Sequence, residues 1–189
     1  MITAIVLAAG LARRMGRQKL LLELQGRAVV RWSVEGILPH VDDVVVVTGR
    51  EESDIRATLQ GLSVRIVSNP HPEAGQGSSI AVGAAALSPS TSAALIVLGD
   101  QPRLPAEVVP ALLAAFARGG TAIVTPVYRG MQGTPVLFGA DVFAELRALS
   151  GDAGARSVVR TRPDRVREVA FDLPMPDDVD TPDDYARLM

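Results

Sequence analysis

Cysteine is absent from this chain of 189 residues, which excludes disulfide bonds and thiolate metal sites. Histidine is scarce as well, with two residues, so a metal ion would depend mainly on oxygen ligands. Neither sign of charge predominates, because 19 basic and 21 acidic residues leave a formal net charge of -2. The overall field therefore gives no reason to expect a nucleic acid or an anionic membrane as partner, and any anion site must be local.

Long apolar runs are also missing, and the longest fall far short of the ~20 residues that a membrane helix requires. The apolar segment 2–9 has no positive charge before it, and Arg13 and Arg14 follow it, which is the reverse of a secretory signal. There is no internal repeat, low-complexity segment or long linker. We therefore expect a soluble, cytoplasmic protein with no membrane partner, and 48% hydrophobic residues provide for one buried core.

Runs rich in Val and Ile alternate along the chain with segments of helical periodicity. The apolar runs predict strands at 2–7, 44–48, 64–67, 93–98, 121–125, 135–138 and 166–171. Helices are predicted at 28–38, 52–59, 78–87, 106–118 and 142–149, with a short helix after Pro182. This alternation indicates an α/β fold, in which a largely parallel sheet lies between helical layers in a three-layer αβα arrangement.

The chain is predicted to be a single domain, residues 1–189, with two differing roles. Residues 1–125 have the pattern of a nucleotide-binding half, and residues 126–189 that of an acceptor-binding region. Ligands of such sheets bind outside the carboxyl ends of the strands. The loops that begin at residues 8, 49, 68, 99 and 126 are therefore the places where chemistry is expected.

The first of these loops, LAAGLARRMGRQK, is both glycine-containing and basic. Gly10 and Gly16 allow a tight turn whose N–H groups can converge on phosphate oxygens. Four cations lie within seven residues, and they can add charge-assisted contacts to a polyphosphate: Arg13, Arg14, Arg17 and Lys19. The alternative is a solvated basic turn, but its place directly after the first buried strand favours phosphate binding. We expect Lys19 in an exposed part of this loop.

Neither of two familiar phosphate motifs fits this loop. It lacks G-x-G-x-x-G, and Lys19 follows Gln18 where a P-loop lysine follows glycine. The loop resembles the signature of the nucleotidyltransferases of molybdenum cofactor biosynthesis, which is LAAG or LAGG, three residues, RMG, two residues and Lys. This group is the molybdenum cofactor cytidylyltransferase and molybdopterin-guanine dinucleotide synthase-like family, or MobA-like NTP transferases. The resemblance implies the nucleotide-diphospho-sugar transferase fold, which is Rossmann-like.

Two acidic motifs extend the resemblance to a metal site. Asp100 follows the strand 93–98 in LGDQP, which is similar to the LGDxP metal motif of the family. Asp180 lies in PDDVDTPDDY, which resembles a DxDTPxD string whose second aspartate returns to the metal. The structural alternatives are an ordinary Gly-Asp turn and a solvated acidic run that starts a helix at Thr181. The resemblance implies that Asp100 and Asp180 hold Mg2+.

The loop NPHPEAGQGSS, residues 69–79, resembles the segment that lies against base and ribose. Ser78 and Ser79 could instead cap the following helix, and Asn69 could only organise a turn. The catalytic candidates are Lys19, Arg14 and Asp100. The nucleotide-binding candidates are Leu7, Ala8, Ala9, Gly10, Arg13, Arg14, Met15, Gly16, Lys19, Asn69, Gln76, Gly77, Ser78 and Asp100. GTPVLF at 133–138 and GDAGAR at 151–156 resemble acceptor-side segments, although Thr134 stands where the family usually has His or Asn.

The resemblance implies in-line attack of an acceptor phosphate on the α-phosphate of a nucleoside triphosphate, with pyrophosphate released. The acceptor implied is molybdenum-bound molybdopterin, and a transient contact with a molybdo-enzyme or its chaperone is a further expectation. Ala9 favours CTP, because guanine-using relatives carry glycine there. The alternatives are a guanylyltransferase, another cytidylyl or sugar-phosphate transferase, a nicotinamide-dependent oxidoreductase of the same family, or a non-catalytic protein that delivers the cofactor.

Overall fold

The computed structural model describes residues 1–10 and 18–189. Within them an eight-stranded sheet has the order β10-β7-β9-β6-β1-β4-β5, and β8 adds to β7. A separate two-stranded ribbon joins β2 to β3. The strands are β1 (Ile2–Ala8), β2 (Glu23–Leu24), β3 (Arg27–Ala28), β4 (Asp43–Thr48), β5 (Arg65–Ser68), β6 (Ala93–Leu98), β7 (Ile123–Tyr128), β8 (Met131–Gln132), β9 (Val136–Gly139) and β10 (Val166–Phe171).

Helices cover both faces of the sheet. They are α1 (Val29–Ile37), α2 (Glu52–Thr58), α3 (Gln76–Ala85), α4 (Val108–Ala117), α5 (Phe143–Arg147), α6 (Gly154–Thr161) and α7 (Pro182–Leu188). One core cluster joins α1, α2, α4 and α7 to the sheet, and the other joins α3, α5 and α6 to its opposite face. The three-layer arrangement follows, with one apolar core on each side of the strands.

The sequence of strand β1 is almost continuously apolar because both faces of the strand are buried. Ala4 and Val6 belong to the first core cluster, whereas Ile5 and Leu7 belong to the second. Successive side chains of a strand point to opposite faces, so a strand covered on both sides needs apolar residues at every position. β1 lies between β4 and β6, parallel to both, and forms the centre of the sheet.

The predicted α/β class and largely parallel sheet are confirmed. β1, β4, β5 and β6 run parallel to one another, as do β7 and β10, while β9 is antiparallel to both β6 and β7. Each predicted strand is present, and the predicted helices differ by a few residues at their ends. Helix α6 was missed, because it starts at a glycine with positive φ and is short. No helix within residues 1–10 and 18–189 is long and apolar enough to cross a bilayer.

Candidate active site

The candidate site lies where the central strands β1 and β6 end. Leu7 is paired with Leu98, so the two chains leave the sheet side by side. Gly99 then turns so closely over β1 that a Cβ at this position would lie 2.8 Å from the Leu7 carbonyl oxygen. A side chain cannot be accommodated against that backbone. The turn therefore requires glycine, and it brings Asp100 to the edge of the sheet beside the first loop.

Lys19 lies between two carboxylates from distant parts of the chain. Its Nζ donates to Asp100 Oδ2 at 2.5 Å and to Asp180 Oδ1 at 2.6 Å. The lysine side chain is 12% exposed, and those of Asp100 and Asp180 are 17% and 41% exposed. It is the only lysine in the chain; the other 18 basic residues are arginines. The structure thus places the candidate phosphate-binding cation and both candidate metal ligands in one cluster, and corrects the expectation of an exposed lysine.

The charge state of Lys19 follows from these contacts. Burial acts to lower its pKa, but the attraction and hydrogen bonds of Asp100 and Asp180 outweigh burial, so the pKa is raised above the ordinary value of 10.5. The ammonium is therefore charged throughout the neutral and mildly alkaline range. A compact ammonium with three donors can donate to both carboxylates at once.

The acidic C-terminal stretch is fixed beside Asp100 by a buried residue and a backbone hydrogen bond. Val179 is fully buried, and its N–H donates to the Asp100 carbonyl at 3.0 Å. Alternate residues of an extended segment point to the same side, so Asp178 and Asp180 face the cleft while Val179 enters the core. Burial and then the nearby Asp100 raise the pKa of Asp178, although a hydrogen bond from Gln101 opposes the rise.

Gln101 connects this stretch with Thr134, which lies in the segment just before β9. It is 4% exposed, donates from Nε2 to Asp178 Oδ1 at 2.8 Å and accepts at Oε1 from the Thr134 hydroxyl at 2.7 Å. A carboxylate can only accept, so the amide orientation is fixed. Residues of LGDQP, PDDVD and GTPVLF therefore form one hydrogen-bonded group next to the Lys19 cluster.

Helix α7 begins directly after Asp180. Thr181 is the N-cap: its hydroxyl accepts from the Asp184 N–H at 3.2 Å, and Asp184 Oδ2 accepts from the Thr181 N–H at 2.8 Å. The Thr181 hydroxyl also donates to Asp184 Oδ2 at 2.7 Å, and this bond, together with the Thr181 N–H, lowers the pKa of Asp184 to about 2. The structural alternative for this stretch, a helix that starts at Thr181, is confirmed by a capping box. The metal-binding role of Asp180 stays a prediction.

A cleft of about 530 Å³ opens over the Lys19 cluster. A volume of this size is within the range of small-molecule sites. Its lining combines the ends of β1 and β6, the segment 72–79 and three carboxylates from the C-terminal part of the chain. The lining residues are Leu7, Ala9, Gly10, Lys19, Leu20, Pro72, Glu73, Gly75, Gln76, Ser79, Leu98, Asp100, Asp152, Asp178 and Asp180.

The segment that begins at Asn69 is held together by its own side chains. Asn69 is 3% exposed and donates from Nδ2 to the hydroxyls of Ser78 and Ser79 at 2.9 and 3.0 Å. Its Oδ1 accepts from the His71 N–H at 2.9 Å, and the Ser78 hydroxyl donates to the Gly75 carbonyl at 2.8 Å. Asn69 and Ser78 therefore shape the loop that borders the cleft.

The same loop interlocks with the turn at residues 150–154. A Cβ on Gly75 would lie 2.5 Å from Asp152 Oδ1, and a Cβ on Gly77 would lie 2.7 Å from the Ser150 carbonyl oxygen. In the opposite direction, a Cβ on Gly154 would lie 2.4 Å from Gln76 Oε1. The GDAGAR turn was expected on the acceptor side; the structure packs it against the loop expected to face the base.

The sequence-predicted site residues divide into three groups. Those that border the cleft are Leu7, Ala9, Gly10, Lys19, Gln76, Asp100 and Asp180. Those that lie beside it without lining it are Ala8, Asn69, Gly77 and Ser78. Those that lie outside the described residues are Arg13, Arg14, Met15 and Gly16. Their roles in nucleotide and metal binding stay predictions.

Sequence reasoning did not select several residues of the lining. Asp178 could have been found, because it alternates with Asp180 around the apolar Val179. Asp152 had no such signal, since only the fold brings it to Gly75. Glu73 and Ser79 stood in the predicted base-facing loop but were passed over.

The family follows from comparison with known proteins. The model of the MobA-like NTP transferase domain matches residues 4–167 of this chain. The chain belongs to this family. It is therefore a nucleotidyltransferase, as predicted from the first loop.

Its relatives include proteins with different names. It is 31% identical to the purine catabolism protein PucB of Bacillus subtilis, over 96% of this chain and 92% of the relative. It is 33% identical to nicotine blue oxidoreductase of Paenarthrobacter nicotinovorans, over 100% of this chain and 96% of the relative. The molybdenum cofactor cytidylyltransferase of Escherichia coli is 26% identical, over 72% of this chain and 69% of the relative.

Solved structures of similar proteins support the fold over its full length. The crystal structure of Rv0371c from Mycobacterium tuberculosis is 32% identical, with a TM-score of 0.86 over 99% of this chain and 96% of that one. A second structure of that protein, in complex with manganese, gives a TM-score of 0.82 over 99% and 97%.

Proposed function

We propose that this nucleotidyltransferase transfers a cytidylyl group from CTP to the terminal phosphate of molybdenum-bound molybdopterin and releases pyrophosphate. The observation that carries the proposal is the Lys19–Asp100–Asp180 cluster at the base of the cleft, with Nζ to oxygen distances of 2.5 and 2.6 Å. A charge-dense cluster at the carboxyl ends of parallel strands is suited to a polyphosphate.

The donor set of this cluster fits a magnesium ion. Two carboxylates converge on one point, and magnesium is commonly held by one or two carboxylates together with substrate phosphates and waters. Asp100 and Asp180 would hold it. When bound, the ion would neutralise phosphate charge. The manganese complex of Rv0371c supports a divalent cation in this family.

The chain's own residues would then act by position and charge. An acceptor phosphate oxygen attacks the α-phosphorus, and the bond from that phosphorus to pyrophosphate breaks. Lys19, whose pKa is raised above 10.5, supplies a permanent positive charge where negative charge builds on the transferred and leaving groups. We propose that Arg14 adds a second positive charge. The Gln101 bridge between Asp178 and Thr134 would hold the segment before β9, which we assign to the acceptor side, next to the Lys19 cluster.

The preference for CTP rests on Ala9. Ala9 is 6% exposed and borders the cleft, where a Cβ on Gly49 would lie 3.2 Å from the Ala9 carbonyl oxygen and 3.4 Å from Pro72 Cβ. The strand end is therefore crowded, and the Ala9 methyl takes room that the second ring of a purine would need. A pyrimidine requires less width.

The acceptor is inferred from relatives. The Escherichia coli relative is named a molybdenum cofactor cytidylyltransferase, and the Bacillus relative is named for purine catabolism. The cytosine dinucleotide form of the cofactor serves enzymes of the xanthine dehydrogenase type, and xanthine is a purine. Both names support molybdopterin as acceptor and a brief contact with such an enzyme. We further propose that residues 1–125 mainly bind the nucleotide and residues 126–189 mainly the acceptor.

The decisive experiment measures pyrophosphate release with CTP, GTP, UTP and ATP, each with and without molybdenum-loaded molybdopterin. We expect release only when CTP, magnesium and the loaded pterin are all present. Release with GTP at the rate of CTP would overturn the cytidylyl assignment, and release that does not require the pterin would overturn the acceptor.

Ala9→Gly tests the basis of the preference. Overpacking typically costs ~1 to 3 kcal/mol, which corresponds to roughly ten- to a hundred-fold in kcat/KM between CTP and GTP. The variant should gain GTP use while CTP use stays largely intact. If it gains nothing with GTP, Ala9 does not select the base.

An oxidoreductase is the second candidate, because nicotine blue oxidoreductase is 33% identical over the whole chain. The nucleotide loop lacks G-x-G-x-x-G, which argues against a dinucleotide in the usual site. Titration with reduced nicotinamide cofactors, followed by their fluorescence, separates the candidates. Tight cofactor binding together with no pyrophosphate release would favour the oxidoreductase.

A further inference from the structure

Ala9 can distinguish bases only by size, and CTP and UTP are the same size. Cytosine and uracil differ at position 4, where cytosine carries an amino group that donates and uracil a carbonyl oxygen that accepts. They differ also at N3, which accepts in cytosine and carries a hydrogen in uracil. A site that selects CTP over UTP at position 4 needs an acceptor without a donor. Ionised carboxylates meet that requirement, because they can only accept.

Among the described residues, two carboxylates border the cleft on the side of the 72–79 loop. Glu73 lies 3.4 Å from His71 Nδ1 and is 48% exposed, so its carboxylate is turned toward a neighbour within its own loop. Asp152 comes from the turn at residues 150–154, which packs against this loop. Within residues 1–10 and 18–189, no hydrogen-bond donor reaches its carboxylate, so its acceptor capacity is available to a ligand.

The turn that carries Asp152 is positioned by its packing against Gly75 and Gly77. Its Oδ1 lies 2.5 Å from the position that a Cβ of Gly75 would take, and Gly75 has a φ of 92° that disfavours other residues. Gly77 packs against Ser150 in the same way, since a Cβ on Gly77 would lie 2.7 Å from the Ser150 carbonyl oxygen. Two backbones in contact hold the turn and the loop together, so the backbone that carries Asp152 is positioned before a nucleotide binds.

We propose that Asp152 is a specificity-determining residue that accepts a hydrogen bond from the exocyclic amino group of cytosine and thereby excludes UTP. This inference rests on the proposed cytidylyl function. Ala9 would then limit the size of the base, and Asp152 would read its hydrogen-bonding edge. The turn at 150–154 thus belongs to nucleotide recognition, although it lies in the C-terminal part of the chain.

The test is the dissociation constant of CTP and of UTP, measured by calorimetry with magnesium and without acceptor. Wild type should bind CTP more tightly than UTP by roughly ten- to a hundred-fold, the range of one charge-assisted hydrogen bond. Asp152→Ala should weaken the binding of CTP by that factor and leave the dissociation constant of UTP unchanged. Asp152→Asn should bind UTP better than wild type does, because its amide can donate to the uracil oxygen.

Two further variants make the outcomes distinct. Asp164→Asn removes an exposed carboxylate away from the cleft lining and should keep the wild-type ratio. If Glu73→Gln removes the preference for CTP over UTP while both Asp152 variants retain it, Asp152 does not determine the preference. An equal loss of affinity for CTP and UTP in the Asp152 variants would also refute the proposal. If wild type binds neither pyrimidine in preference to GTP, the cytidylyl function itself fails, and this inference fails with it.

Discussion

Replacing Lys19 with methionine would remove the ammonium that joins Asp100 to Asp180 in the described part of the chain, while keeping a side chain of similar length. Two carboxylates within hydrogen-bonding distance of the same ammonium would then face each other without it. The prediction is a double loss, in the stability of the metal-free protein and in turnover. The loss of stability and the loss of turnover should differ in size, and magnesium should reverse only the loss of stability.

The magnitude follows from burial. Breaking a fully buried ion pair costs ~3 to 5 kcal/mol, whereas exposed pairs are worth ~0 to 1 kcal/mol. Lys19 and Asp100 are 12% and 17% exposed but Asp180 is 41% exposed, so the case is intermediate. We expect a loss of about 1 to 3 kcal/mol, or roughly 2 to 4 °C in Tm for each kcal/mol in a chain of this size. Losing a charge-assisted phosphate contact should raise the activation free energy by ~2 to 4 kcal/mol, which lowers kcat roughly thirty-fold to several hundred-fold.

Thermal melts with and without magnesium, together with pyrophosphate release, separate the two losses. Magnesium should restore the Tm of Lys19→Met by replacing the missing charge, but it should not restore kcat. Arg162→Met is the matched control, because it breaks an exposed pair with Glu145 and should change neither quantity measurably. A near-wild-type kcat would remove Lys19 from the reaction, and an unchanged Tm in the absence of metal would refute the bridging role.

The pH dependence has a defined sign. The pKa of Lys19 is higher in the folded than in the unfolded chain, so its stabilisation is fully present below 10.5 and is lost as pH rises through the folded value. The kcat of the wild type should therefore show no loss due to Lys19 on going from neutral pH to 10.5. A fall in kcat below that pH that is absent from Lys19→Arg would contradict the contacts described.

Three further changes test neighbouring features. Asp100→Asn and Asp180→Asn should each raise the magnesium concentration at half-maximal activity, and a response of Asp100 alone would mean that the C-terminal stretch is only a turn. Asp184→Asn should lower the Tm at neutral pH, and the difference from wild type should vanish as pH falls from 3.8 through about 2, where the native carboxylate is protonated. Gly77→Ala should weaken nucleotide binding, since its methyl meets the Ser150 carbonyl; unchanged affinity in a folded variant would refute the interlock.

Much of the fold could be predicted because most of the longer strands are apolar and are followed by a helical segment. The same local regularity located Asp100, which directly follows the β6 strand. Helix α6 escaped because its start depends on a glycine with a φ of 55°, which the pattern of apolar residues does not reveal.

Local patterns predict only those parts of the site that lie within one segment, and the meeting of Asp100 with Asp180 was expected from the family resemblance alone. Lys19 is 81 residues from Asp100 and 161 from Asp180, so no local spacing indicates that the three meet. The exposed position expected for Lys19 was wrong for this reason. Asp152 was missed likewise, because its proximity to Gly75 depends on how two loops that are distant in sequence pack against each other.

The single lysine has a practical consequence for following the site in solution. Acylating reagents attack neutral amines, and Lys19 carries the one side-chain amine in these 189 residues. Its raised pKa and 12% exposure should make it react slowly while it bridges the carboxylates. The rate at which the peptide that contains Lys19 gains an acyl group, followed by mass spectrometry, would therefore report how often the ammonium has left Asp100 and Asp180.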